Sequence, residues 1–181
     1  MKERIILIGP CGAGKTTVGR ILSNIMGFGF VDLDSIREAV YSETDYSCEE
    51  ADRLYREQGV MGWYSYIKPY EFYSVKYVLS HYYNTVIAFG GGQSVYDGTE
   101  WEQPFIHLMR SEKNVFMLAP SLNETEALSV LDKRIEVDER ILNRLFIQSR
   151  TSRAVSRRII TGSQNPNDTA AAILREIIIS P

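Results

Sequence analysis

Cysteine is scarce: Cys11 and Cys48 are the only two in 181 residues. Two thiols cannot build a disulfide framework, so the fold must rest on its own core, and a reducing compartment is expected. Histidine is equally sparse, with two copies, which argues against a metal centre built on imidazoles. Neither sign of charge dominates, 20 basic side chains against 23 acidic for a net −3. Bulk charge therefore offers nothing to a polyanion, and nucleic acid is not expected as a partner. No apolar run reaches the ~20 residues that cross a bilayer, and Ile5 to Ile8 is too short for a signal peptide. The remaining composition, 44% hydrophobic and 24% charged, is that of an ordinary globular chain. These bounds predict one cytoplasmic domain over residues 1–181 with no membrane association; they leave its oligomeric state open, with a monomer favoured. Folding should remove about two-thirds of its unfolded surface from water.

What the chain does have is a repeated alternation of buried-strand runs and helical stretches. Arg4 to Ile8 is a β-branched run, followed by Gly9, a loop, and a helix-favouring segment from Thr16 to Met26. Gly27-Phe28-Gly29 ends that helix, Phe30-Val31 begins a second strand, and a further helix is predicted from about Ser35. Strand, helix and strand within roughly 30 residues is a βαβ unit, which calls for a parallel sheet. Residues 43–83 read as largely helical, with Pro69 predicted to interrupt them and to leave Lys68 extended or at a helix start. Eight of the eleven tyrosines fall between Tyr55 and Tyr83. The helical spacing of Tyr66, Tyr70, Tyr73 and Tyr77 predicts a packing face rather than a ligand cage. Strands are predicted at 85–89, 115–118 and 158–161, and helices at 124–134, 140–153 and 169–179, the last capped by Asn167-Asp168. The expected fold class is α/β, a three-layer sandwich with a five-stranded parallel sheet.

Gly9-Pro-Cys-Gly12-Ala-Gly14-Lys15-Thr16 fits G-x-x-x-x-G-K-[ST] at every fixed position, between a buried strand and a helix. Such a loop turns its backbone N–H groups toward phosphate oxygens, and the helix N-terminus adds partial positive charge. Gly9, Gly12, Ala13, Gly14, Lys15, Thr16 and Thr17 are thus expected to hold ATP, with Lys15 on the β- and γ-phosphates and Thr16 on Mg²⁺. Cys11 reads as a space-filler rather than a nucleophile. A G-x-G-x-x-G dinucleotide motif is missing after the first strand. The Asn/Thr-Lys-x-Asp motif of a GTPase is also missing, as is an Asp closing the third or fourth strand, as large ATPases require. Asp32 and Asp34, at i and i+2 on a strand end, point to one side. Asp32 can hold Mg²⁺ while Asp34 faces an acceptor hydroxyl as base or aligner, unless Asp34 merely caps the next helix.

Gly9 to Gly19, Val31-Asp32-Leu33-Asp34 and Gly90-Gly91-Gly92, in that order, resemble the shikimate kinase family. The resemblance implies a small-molecule kinase with a lid at about 135–145 and an acceptor-binding helical region at about 35–83. It assigns Arg134 to the adenine side, Arg140 to the lid and catalysis, and Arg150 to the acceptor. It also implies that Gly90, Gly91 and Gly92 let the backbone approach the acceptor ring. The implied acceptor is a small hydroxylated molecule, shikimate or a related cyclitol or polyol. The chain departs from the family at G-E-x-x-F-R-x-x-E, which contributes an arginine to the acceptor carboxylate. Counting from Gly59 puts Trp63-Tyr64 at F-R. Counting back from the triple glycine puts Ile67-Lys68 there, with Glu71 closing the motif. Neither register keeps the arginine, and Lys68 offers a point charge where a fork is needed. The lid has Ile141 in place of proline, and Ser152 and Ala154 replace the proline and tyrosine that follow Arg150. Residues 140–158 hold six arginines and no acid, a field suited to phosphates. Two rival readings remain at this point. One is a kinase-like nucleotide-binding module without shikimate kinase activity. The other is an RNA-end kinase using that basic run, which salt-dependent RNA retention would reveal.

Overall fold

The structure is a computed structural model that describes residues 3–162 and 165–179. Strands β1 (Arg4–Ile8), β2 (Gly29–Asp32), β3 (Thr85–Ala88), β4 (Val115–Ala119) and β5 (Arg157–Ile160) form one parallel sheet in the order β2-β3-β1-β4-β5. Alternation along a strand sends successive side chains to opposite faces, and both faces here are covered, so β1 after Arg4, β3 after Thr85 and all of β4 are apolar. Ile6 and Ile8 join Ile87, Phe89 and Met117 on one face, against Phe72, Val75 and Val78. Ile5 and Leu7 join Val86, Phe116 and Leu118 on the other, against Val18, Leu22 and Ile173. The expected three-layer architecture is what these two cores produce.

The helices are α1 (Lys15–Met26), α2 (Leu33–Tyr41), α3 (Cys48–His81), α4 (Glu102–Met109), α5 (Glu124–Leu131), α6 (Val137–Gln148), α7 (Arg150–Ala154) and α8 (Pro166–Ile179). Several sequence expectations need correction. Pro69 does not interrupt α3, and Lys68 is neither extended nor at a helix start but buried in mid-helix; the break falls at Gly59, with φ 70° and ψ −165°. The buried face of Ile67, Phe72, Val75, Val78 and Leu79 outweighs the hydrogen bond that Pro69 forfeits. The predicted helix over 140–153 is two helices, because Ser149 adopts an extended backbone and its hydroxyl accepts from Ser152 N to start α7. Helix α8 begins at Pro166, with the Asn165 side chain accepting from Asn167 N, rather than at Thr169. Helix α4 has no counterpart among the sequence expectations.

The tyrosine face is a packing face. Tyr66 and Tyr70 meet Tyr41 and Tyr46 in tilted and edge-to-face contacts, ring centroids 5.1–5.8 Å apart, joining α3 to α2 and the turn after it. Tyr73 donates to Glu43 and Tyr77 stacks on His81. Among the described residues no helix is long and apolar enough to cross a membrane.

Candidate active site

The carboxyl ends of β1, β2 and β3 deliver the phosphate loop, the Asp32–Asp34 turn and the triple glycine to one edge of the sheet, where open parallel sheets bind ligands. In the loop, Gly12 and Gly14 stand at φ 79° and 89°, in the left-handed region that glycine enters without penalty. A Cβ built on Gly14 would meet nothing within 4 Å, so the loop leaves open space at the start of α1. Lys15 folds back over the loop and donates to the carbonyls of Gly9 and Pro10 at 2.8 and 2.9 Å. Burial lowers its pKa, against the pull of nearby acidic groups that include Asp34, Asp32 and Glu139. These features fit a nucleotide triphosphate: a cradle, a desolvated ammonium and unencumbered helix N–H groups.

Beside the loop, a small cavity of about 240 Å³ is lined by Ala13, Gly14, Thr17 and Arg134, faced by Thr161 and Thr169. Arg134 donates to the carbonyl of Gly12 at 3.2 Å, which ties the arginine to the loop. Four of the residues expected at the nucleotide thus share one wall. Thr161 and Thr169 were not legible beforehand, because nothing in the sequence shows that β5 and α8 end beside the loop.

Asp32 and Asp34 have separated tasks. Asp32 is the N-cap of α2: its Oδ1 accepts from Asp34 N at 3.2 Å, and its Oδ2 accepts from the Thr16 hydroxyl at 2.7 Å. A cap at Asp32 leaves Asp34 free of capping, which answers the alternative reading of Asp34. The Thr16–Asp32 pair is an oxygen donor set of the kind Mg²⁺ accepts when substrate phosphates and water complete its shell. Among the described residues no group of three or more His, Cys, Asp or Glu side chains is placed to hold a metal by itself.

Asp34 opens into a cavity of about 500 Å³ that it shares with Arg37, Glu71, Gly91 and Gly92. Burial raises the Asp34 pKa, and the Lys15 and Arg37 charges pull it back. The glycines have a steric reason. A Cβ on Gly90 would lie 2.3 Å from Asp34 Oδ1, and one on Gly92 would lie 2.9 Å from the Tyr64 ring and 3.1 Å from Glu71 Oε1. Helix α6 closes the cavity with Asp138, Glu139, Leu142 and Asn143. Asn143, 1% exposed, accepts from Cys11 N at 2.7 Å and donates to Cys11 O at 3.0 Å. The Cys11 thiol donates to Glu139 at 3.1 Å, and burial, then that bond, push its pKa up to about 11. A protonated thiol is consistent with a filler rather than a nucleophile.

The remaining acceptor-side residues are dispersed. Lys68 is buried, with its ammonium 2.5 Å from Glu71 and 2.9 Å from the carbonyl of Gly92. The Tyr64 ring lies 3.8 Å from that ammonium, so the two sequence registers meet at one point in space. Lys68 and Arg150 both border a second cavity, of about 760 Å³, which shares Tyr64 with the first. Arg150 has a side chain 78% exposed and lies 3.6 Å from Asp97, so it does not converge with Asp34. Arg140 borders neither cavity, and its buried Nε has no hydrogen-bond partner among the described residues. Arg37 and Asn143 were missed in the sequence. Arg37 had a signal, its place three residues after Asp34 on one helix face; Asn143 had none.

The shikimate kinase family profile matches residues 11–178. The shikimate kinase of Hahella chejuensis is 30% identical over 77% of this chain and 72% of that protein. Those of Halorhodospira halophila and Marinomonas sp. are 58% and 62% identical, but over only 21% and 19% of their own lengths. Among solved structures, shikimate kinase from Acinetobacter baumannii in complex with shikimate is 26% identical, with a TM-score of 0.64 over 98% of this chain and 94% of that one.

Proposed function

Because the chain belongs to the shikimate kinase family, we propose that it transfers the γ-phosphoryl group of ATP to a hydroxyl of a small metabolite of the shikimate, cyclitol or polyol type. The observation that carries this reading is the sharing of one sheet edge by the Lys15 loop, the Thr16–Asp32 pair and the open Asp34 cavity. Asp34 receives the acceptor hydroxyl at the cavity floor and takes its proton as the new P–O bond forms and the bond to ADP breaks. The desolvated Lys15 ammonium leaves its two carbonyl partners for the phosphate oxygens, where charge accumulates in the transition state. Thr16 and Asp32 hold Mg²⁺, which neutralises phosphate charge when bound. Ala13, Thr17 and Arg134 border the nucleotide, residues 135–145 act as the lid, and residues 35–83 form the acceptor-binding region.

The test is ADP release in a coupled assay, with shikimate, cyclitols and sugar derivatives as acceptors. Acceptor-dependent release that disappears in Asp34→Asn supports the reading. Nucleotide binding without release for any acceptor favours instead a nucleotide-binding module, the reading that the dispersed Lys68, Arg140 and Arg150 would suit.

A further inference from the structure

Helix α2 sets two unengaged groups of opposite sign at one cavity. Asp34 and Arg37 lie three residues apart on its surface, and both border the space of about 500 Å³. At that spacing an aspartate and an arginine can pair. Here their charges influence each other but they form no ion pair, and neither side chain has a hydrogen bond among the described residues. Arg37 is half-buried, so its guanidinium is partly withdrawn from water without a protein acceptor.

The surrounding charges decide what such a group can take. Lys15 lies beside Asp34 but belongs to the phosphate loop and to the phosphate oxygens. Lys68 is committed to Glu71 at 2.5 Å and to the carbonyl of Gly92 at 2.9 Å, and its ammonium lies over the Tyr64 ring. Arg150 borders the other cavity. Arg37 is therefore the one cation bordering the Asp34 cavity among the described residues. Four of the five carboxylates there are already answered. Glu71 is matched by Lys68, Asp138 accepts from the Tyr55 hydroxyl, and Glu139 accepts from the Cys11 thiol and from Glu136 N. Asp52 is exposed, where solvent and salt screen it. The fifth is Asp34 itself. A guanidinium fork in this setting suits a singly charged planar carboxylate. A dianionic phosphate ester would meet the same acids with twice the charge.

We propose that Arg37 selects the acceptor and that the acceptor is a hydroxylated carboxylic acid, its carboxylate in the Arg37 fork and its hydroxyl presented to Asp34 one helical turn away. This rests on the kinase reading above and names the residue and the charge by which its acceptor is chosen. Holding both groups from a single helix fixes the reacting hydroxyl relative to the carboxylate, which orients it for transfer.

The experiment measures kcat and KM for two matched pairs, shikimate with its methyl ester and gluconate with sorbitol, in the wild type, Arg37→Gln and Arg37→Lys. It is run at a pH above the acid limb of all three, so that the influence of Arg37 on Asp34 does not enter. In at least one pair the wild type should favour the carboxylate by at least about tenfold in kcat/KM, the size of one charge-assisted bidentate contact. Arg37→Gln should erase that preference through KM for the carboxylate, and Arg37→Lys, a charge without a fork, should restore part of it. Wild-type turnover of ester or sorbitol that equals or exceeds that of the acids overturns the proposal and leaves the kinase reading standing. An Arg37→Gln variant that lowers kcat for both members of a pair equally also overturns it, because Arg37 then acts only through Asp34. So does an Arg37→Gln variant that keeps the preference. Nucleotide binding with no ADP release for any acceptor overturns the kinase reading and this proposal with it.

Discussion

Asp32 and Asp34, two positions apart, stand in opposite states of engagement. Asp32 is occupied on both oxygens, by Thr16 and by the helix backbone, whereas the Asp34 carboxylate faces the cavity and presses so close to Gly90 that no side chain fits there. Asp32→Asn should therefore raise the Mg²⁺ concentration needed for half-maximal activity, and an unchanged Mg²⁺ titration would leave Asp32 a helix cap alone. For Asp34 the direction of its pKa sets the pH dependence. Burial raises it above the ordinary carboxylate value, so activity should fall on the acid side at a higher pH than an exposed aspartate would give. Arg37 opposes that rise, so removing its charge in Arg37→Ala should move the acid limb of kcat/KM further up in pH. A limb that stays in place would show that Asp34 is not the group being titrated. The same shift has a folding consequence. The native state holds the Asp34 proton more tightly than the unfolded chain, so ionised Asp34 destabilises the fold at neutral pH and the penalty is relieved as pH falls through the raised value. Asp34→Asn should abolish transfer and raise Tm together, a pairing that a merely structural aspartate would not show.

At the scale of elements, α3 explains both what the sequence revealed and what it concealed. The strand runs, the phosphate loop and the Asp32–Asp34 turn were legible because each depends on local pattern: β-branched runs, a fixed glycine spacing, a polar pair at a strand end. Helix α3 defeats local reading twice. Pro69 is tolerated because its neighbours bury a continuous apolar face, and Gly59 breaks the helix although one glycine is weak punctuation. Helix α4 was missed because it has eight residues and carries Pro104, which reads as a breaker but lies in the first turn, where no N–H is needed. Arg140 and Arg150 were named from their order along the chain, and order does not fix direction; Arg150 turns toward Asp97 and the second cavity. Lys68 lies within α3 and can be tested there. Its buried pair with Glu71 removes two charges from water, so losing one partner strands the other. Glu71→Ala should cost about 3–5 kcal/mol in urea denaturation, while the double variant Lys68→Met with Glu71→Leu should recover most of it. A Glu71→Ala variant as stable as the wild type would mean that Lys68 is not committed to Glu71 and remains available to a ligand.

Across the whole molecule, the two halves of the site are tied by one side chain. The phosphate loop rises from β1 and helix α6 lies far along the chain, yet Asn143 bridges them by holding both the N–H and the carbonyl of Cys11. Both groups belong to the loop expected to surround phosphate, so the position of α6 and the shape of the loop are coupled. Glu139 strengthens the tie through the Cys11 thiol and, with Glu136, forms the capping box that starts α6. In the proposed role of residues 135–145 as a lid, these bonds hold α6 against the Asp34 cavity and must be released to admit a ligand. Asn143→Ala removes the bridge and leaves two loop groups without partners, at a cost of about 1–3 kcal/mol. If the tie is what seats the lid, the loss should be local: hydrogen exchange should accelerate in residues 137–148 and 9–14, while β3, β4 and the buried half of α3 keep their protection. An adenine nucleotide that organises the loop should restore part of the protection in 9–14. Exchange that accelerates uniformly across the sheet would mean that Asn143 supports the core, and unchanged exchange in 137–148 would mean that α6 is seated by its apolar contacts, Leu145 and Phe146, without help from the loop.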